Sequence, residues 1–129
     1  MPPTLVSLPQ AFASFDECWK PWIAAEVNDV QIKVVKMRGE FIWHHHDQED
    51  ELFWVVRGRL RMLFREGEVV LDENEILVVP RGVEHCPVAD EEVQVVMIEP
   101  STTLNVGNVS DDSRFQPYQP RRLDQATSH

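Results

Sequence analysis

The chain predicts an all-β fold, a small barrel or sandwich in which helix is a minor component. Three observations lead there. Roughly eight short apolar runs recur between turn signals made of Gly, Pro, Asn and Asp. Several of these runs alternate apolar and polar residues at period two. The spacing of an amphipathic helix occurs only in one short stretch near the N-terminus, and no internal repeat or low-complexity tract interrupts the pattern.

In chain order, Met1 to Pro9 is rich in proline and is expected to be loose. Ser7 can cap a short helix from about Pro9 to Phe15, because its hydroxyl offers an acceptor to the first free amides and proline suits the first turn. Phe12 and Phe15, three apart, then share a face. Pro21, between Trp19 and Trp22, breaks any helix there. Ile23 to Val27 reads as a strand and Asn28-Asp29 as a turn. Val30 to Val34, with Gln31 and Lys33 between apolar neighbours, reads as a half-buried strand that Gly39 ends. Phe41 to His46 begins the next strand, Asp47 to Asp50 is too polar for a core and forms a rim loop, and Glu51 enters the most apolar run, Leu52 to Val56. Arg57-Gly58-Arg59 turns the chain, and Leu60 to Phe64 and Val69 to Leu71 flank a hairpin turn at Glu66-Gly67. After a turn at Asp72 to Glu75, Ile76 to Val79 is a short buried strand stopped by Pro80. Val93 to Glu99 is the last clear strand, ended by Pro100. From Asn105 onward the composition shifts to Asn, Asp, Ser, Gln, Pro and Arg, with few apolar residues besides Val109, Phe115 and Tyr118, and reads as a polar tail. The expected organisation is an N-terminal segment over residues 1–22, a barrel domain over 23–104 and the tail over 105–129.

With 43% apolar and 26% charged residues, 129 residues can bury one core. A net charge of −10 and a pI near 4.8 give an average field that repels phosphates, which opposes nucleic acid and anionic membrane as partners. Small cations and neutral or cationic small molecules remain open. No apolar run approaches the ~18 residues of a membrane span, and the N-terminus lacks the basic and apolar regions of a signal peptide. Cys18 and Cys86 stand far apart without CxxC spacing, so reduced thiols in a cytoplasmic protein are expected.

Three of the five histidines sit side by side at His44-His45-His46, beside a run of carboxylates and just before the most apolar run. If this stretch is extended, His44 and His46 project to one face and His45 to the other, so two imidazoles converge on one point. The spacing is His-x-His, four residues, Glu51, six residues and Gly58, followed later by Pro80-x-Gly82-x-x-His85. It resembles the two motifs of the cupin superfamily. That resemblance implies a jelly-roll β-barrel whose metal is held by His44, His46, Glu51 and His85. Gly39 lies four residues before His44 where the pattern more often has five. Asn74 stands where the second motif opens with Gly, and Ala89 where it closes with Asn. Asn is the residue other than Gly most tolerant of positive φ, so the turn at Asn74 can survive.

The chemistry of the implied ligand set supports it. Imidazole nitrogens and a carboxylate suit one borderline divalent ion per chain, Mn, Fe, Ni or Zn, at about 2.0 to 2.2 Å. Four protein ligands leave up to two octahedral positions for water or substrate. Asp47, Glu49, Asp50 and Glu84 are expected as rim charges. Cys86 is expected as a small packing residue, and Arg57, Arg59, Arg61 and Arg65 as a solvated face balancing acidic neighbours. Leu52 to Val56 shows no polar alternation, so both faces of that strand need cover and a homodimer is expected. The function expected is a metalloenzyme acting on a small organic molecule, of dioxygenase or metal-assisted isomerase or lyase type. The alternative is a non-catalytic cupin that binds a metal or small ligand.

Overall fold

The structure, a computed structural model, describes residues 5–123; the expectations for residues 1–4 and 124–129 lie outside the described residues. Among the described residues one short helix precedes eight strands: α1 (Leu8–Ala13), β1 (Trp22–Val27), β2 (Val30–Glu40), β3 (Glu51–Arg57), β4 (Leu60–Phe64), β5 (Gly67–Leu71), β6 (Ile76–Val79), β7 (His85–Pro100) and β8 (Arg121–Arg122). Ser7 caps α1 through its hydroxyl, which accepts from the Gln10 amide at 3.4 Å. Ser14 closes the helix, donating from its amide and hydroxyl to the Ala11 carbonyl. No helix among the described residues is long and apolar enough to cross a membrane.

The strand order β5-β4-β7-β2-β1-β8 runs through β7, to which β3 also pairs, with β6 beyond β3. All these pairings are antiparallel except β1 with β8. β7 organises the barrel: residues 85–88 pair with β4, and further along it pairs with β2 on one side and β3 on the other. The last strand is therefore far longer than the Val93–Glu99 run expected, and His85 is its first residue. Gly39 does not end β2 either. With φ +87 it sits where the pairing register with β7 shifts, so the strand bulges and continues to Glu40.

Both faces of β2 and β7 are covered, which explains why alternation misled at Lys33. Val35 and Met37 share the barrel interior with Phe53, Val55, Val93, Val95 and Met97, and Lys33, two residues before Val35, lies on this interior face, 2% exposed. Ile32 and Val34 face outward, onto Phe12 and Phe15 at and beyond α1. The half-buried strand of the sequence reading is thus covered on both sides. The same layer also reaches β3. Trp54 and Val56, on the outer face of β3, pack on the cluster that includes Phe12 and Phe15, so the chain covers much of that face itself.

The polar segment after Asn105 is not a free tail over its described part. Val106 is fully buried in a cluster with Phe41 and Ile42, which Trp19, Val109 and Phe115 extend, and Phe115 lies 4.6 Å from the Phe41 ring. Arg121 and Arg122 then pair with β1. Three or four well-placed apolar residues anchor the segment, and composition alone dilutes that signal.

Candidate metal centre

Three pieces of chain build the centre. Residues 41–46 are extended but are not a strand of the sheet; one bridge ties them to β7, with the His44 amide donating to the His85 carbonyl at 3.0 Å and the His85 amide donating back at 2.9 Å. The Gly82 amide donates to the His46 carbonyl at 2.7 Å. This pins the second histidine against the Pro80-Arg81-Gly82 turn. Alternation then holds without a regular strand. His44 and His46 are buried with ring centroids 5.0 Å apart, whereas His45 turns to the rim and meets Asp47 at 3.0 Å. Glu51 opens β3, and His85 opens β7 with its ring 4.3 Å from that of His44.

The four side chains brought together are His44, His46, Glu51 and His85, all buried, with one donor atom from each lying within 4.8 Å of the others. Several details fit a metal. The Nδ1 atoms of His44 and His85 each lie 2.9 Å from a backbone carbonyl, that of Ile42 and that of Val83. Donation there would fix the tautomer and leave Nε2 a lone pair for a metal; His85 Nε2 is also within hydrogen-bond distance of Glu51 Oε1, at 3.1 Å. Two donors each about 2.1 Å from one centre and at right angles are about 3.0 Å apart; Glu51 Oε1 lies 3.0 Å from His46 Nε2 and 3.1 Å from His85 Nε2. The His46 contact is misaligned for a hydrogen bond, so His46 Nε2 is buried without a partner. An orphaned buried nitrogen costs stability unless something outside the chain meets it.

Electrostatics keep the set in metal-binding form. Burial, reinforced by the neighbouring His85, lowers the His44 pKa to about 4, so this imidazole is neutral at pH 7. Burial alone would raise Glu51, but the imidazoles of His46 and His85 outweigh it and hold the carboxyl well below its usual range. The turn expected to survive at Asn74 is present, with φ +66.

The rim carboxylates are engaged elsewhere. Asp50 binds Arg81, Glu84 binds Arg65 at 2.7 Å, and Glu49 accepts from the Thr102 hydroxyl at 2.7 Å. Arg59 and Arg61 pair with Asp72, Glu68 and Asp90, and Arg65 also covers the Trp43 ring at 3.8 Å. Cys18 and Cys86 are free thiols; burial, then Glu40, pushes Cys86 up to about 11, as an inert packing residue requires.

A family model described as a cupin domain matches residues 32–101, more than half of the chain. This chain is a cupin. The cupin is 42% identical over 62 residues to the protein YdbB of Bacillus subtilis (strain 168), a match covering 47% of this chain and 55% of YdbB. It therefore spans about half the length of that curated relative. Among solved structures, a cupin-2 domain containing protein from Shewanella frigidimarina NCIMB 400 is 43% identical with a TM-score of 0.74, covering 74% of this chain and 94% of that one. A protein from Neisseria meningitidis is 31% identical with a TM-score of 0.70, covering 76% and 100%. The cupin fold, a double-stranded β-helix, is thus shared along most of the barrel.

Sequence reasoning missed the cavity beside the cluster. His44 and Glu51 form one wall, Phe41, Phe53 and Met97 are among its apolar lining, and Lys33 and Glu99 also face it. Both charged residues share strand parity with interior positions, Lys33 with Val35 and Met37 and Glu99 with Val95 and Met97. That parity was the available signal. The segment after the barrel was missed too, although it touches the centre: the His45 amide donates to the Asn108 side chain at 2.8 Å and the Asn108 amide to the His45 carbonyl at 3.0 Å.

Proposed function

We propose that this cupin holds one divalent transition metal, Mn, Fe, Ni or Zn, through His44, His46, Glu51 and His85, and acts as a metalloenzyme on a small organic molecule. The observation that carries this reading is the convergence of four buried donors, one of them the unpartnered His46 Nε2, beside a cavity that reaches two of the four. Such a metal would supply Lewis acidity to a bound oxygen group, the chemistry of isomerase and lyase reactions, and a redox-active ion such as Fe would also supply the redox chemistry a dioxygenase needs. The chain supplies the rest. Ile42 and Val83 orient two of the imidazoles, Phe41 and Phe53 exclude bulk water, and the rim carboxylates stay paired outside. The alternative is a binding cupin without turnover, which the same cavity would serve. Two free thiols suit the reducing cytoplasm as its place of action.

Protein purified without added metal is expected to contain close to one divalent ion per chain by elemental analysis. After chelation, Mn, Fe, Ni or Zn should raise its melting temperature, since a ligand that binds only the folded state stabilises it. Absence of both metal and thermal shift would refute the reading. An oxygen-consumption and substrate screen then separates enzyme from binding module.

We also propose a homodimer. Val78 and Ile76 of β6 pair directly with Leu52 and Trp54 of β3, which places the four side chains on one outer face, and Ile76 and Val78 remain 62% and 50% exposed. Among the described residues β6 pairs only with β3, so an open strand edge borders this apolar patch. Light scattering is expected to give twice the chain mass of 15.0 kDa; a monomer at micromolar concentration would remove the proposal.

A further inference from the structure

A second hollow lies outside the cluster, where the segment after the barrel crosses the N-terminal segment. It measures about 440 Å³, within the range of small-molecule sites, and Trp19, Lys20, Asn105, Arg114, Phe115 and Tyr118 are among its walls. Its frame is fixed. The Asn105 side chain donates to the Gln116 carbonyl at 3.1 Å and accepts from the Tyr118 amide at 2.8 Å. Trp19 donates from its amide to the Lys36 carbonyl at 2.8 Å and from its indole to the Arg38 carbonyl at 2.9 Å. These bonds hold it at φ +66, a left-handed conformation that a bulky side chain rarely adopts. Strain of that kind persists only where the surroundings impose it, and it gathers at sites that clamp a ligand. Trp19 and Asn105 also border the cavity beside the cluster. Trp19 stacks on Phe41 at 4.8 Å, and Phe41 meets the His44 ring edge-on at 5.4 Å, so two rings separate the groove from His44.

The groove reverses the charge of the chain. Acidic residues number 22 against 12 Lys and Arg, yet the groove walls carry two cations, Lys20 and Arg114, and no carboxylate among the described residues. Glu17 holds Lys20 at 2.7 Å, and Asp112 takes Arg114 Nε and Nη2 at 3.2 and 3.0 Å. Arg114 Nη1 has no hydrogen-bond partner among the described residues, and the Lys20 and Arg114 side chains are 48% and 59% exposed. The average field of the chain is screened over about 8 to 10 Å in physiological salt. The two nearby cations therefore decide. We propose that this groove binds a planar organic carboxylate, its flat body against Trp19 and Tyr118 and its carboxylate met by Lys20 and Arg114. The cavity beside the cluster, about 30 Å³, has room for roughly two water-sized groups, so the body of such a ligand lies in the groove. Binding there needs no metal; only its description as a substrate rests on the proposed metal reading.

Three probes test the groove: benzoate, planar and anionic; benzamide, planar and neutral; and cyclohexanecarboxylate, anionic but not planar. Each is titrated by NMR into the protein as purified and after chelation. Benzoate is expected to bind more tightly than benzamide by about fivefold, the scale of two exposed ion pairs, and more tightly than cyclohexanecarboxylate by about threefold, the scale of one aromatic pair. The shifts should centre on the Trp19 indole and the Tyr118 amide. Lys20→Gln/Arg114→Gln is expected to melt with the wild type and to bind benzoate and benzamide alike. Arg59→Gln/Arg61→Gln, the same charge change outside the groove, should keep the wild-type preference. Equal binding of benzoate and either other probe to the wild type overturns the proposal, as do shifts confined elsewhere or no binding at millimolar concentration. So does a preference for benzoate over benzamide that survives in the first variant or vanishes in the second. Should the first variant fail to fold, the wild-type comparisons decide. A preference present only before chelation places the carboxylate on the metal and also overturns the groove. A protein found without metal that keeps the preference ends the metal reading and leaves the groove standing.

Discussion

Replacing His44, His46 or His85 by alanine is expected to weaken divalent-metal binding by at least about a hundredfold, whereas His45→Ala should leave it within about twofold. The lower bound follows because disturbing even an outer partner of a metal ligand costs 10- to 100-fold, and these substitutions delete a donor. Three adjacent histidines make the experiment discriminating. His44 and His46 face the buried cluster, while His45 meets Asp47 at the rim. Competition against a chromogenic chelator measures the affinities, and melting curves of the metal-free variants separate loss of a ligand from loss of the fold. A His45→Ala protein as damaged as His44→Ala, or a harmless His85→Ala, would end the proposed ligand set.

Acid should reproduce the loss in the wild type, and its pH window follows from His44. The folded pKa of about 4 lies below the ordinary 6.5 of an unfolded histidine. The neutral imidazole therefore stabilises the metal-free fold above pH 6.5, and that stability is lost as the pH falls from 6.5 through 4. The shift corresponds to about 3 kcal/mol. The acid dependence of metal-free stability should be shallower in His44→Ala by about that amount.

Much of the barrel was legible because strands and turns are local. Asn28-Asp29 and Pro80 lie where the chain turns, the hairpin expected at Glu66-Gly67 turns one residue earlier, at Arg65-Glu66, with Gly67 opening β5, and the two histidine motifs carry their own spacing. What was hidden depends on contacts distant in sequence. Lys33 reads as the polar side of a half-buried strand until Phe12 and Phe15 are seen covering the opposite face; only then does its parity with Val35 and Met37 place it inside. The segment after Asn105 hides for a related reason. A polar composition predicts looseness only when its few apolar residues find no partner, and Val106 and Phe115 find Phe41, Ile42 and Trp19 across the barrel end.

Gly107 makes that hidden segment testable, because Gly107→Ala should both destabilise the protein and weaken metal binding, although Gly107 is no ligand. Its φ is +56, a conformation L-residues adopt at a cost of about 1–2 kcal/mol. Space adds a second term. A Cβ at Gly107 would lie 2.3 Å from the His45 carbonyl oxygen and 3.0 Å from His44 Cδ2, so residues 106–108 would have to lift away or the histidine segment shift. Either movement strains the paired hydrogen bonds between His45 and Asn108 and tilts the His44 ring. Overpacking of this kind typically adds about 1–3 kcal/mol, so a combined loss of about 2–5 kcal/mol and a melting temperature lowered by roughly 10 °C or more are expected. Gly39→Ala is the control: its φ is +87, but nothing lies within 4 Å of the added carbon, so only the conformational cost applies and metal affinity should hold. Equal melting curves and equal metal affinities for the two variants would show that the segment after the barrel does not position His44.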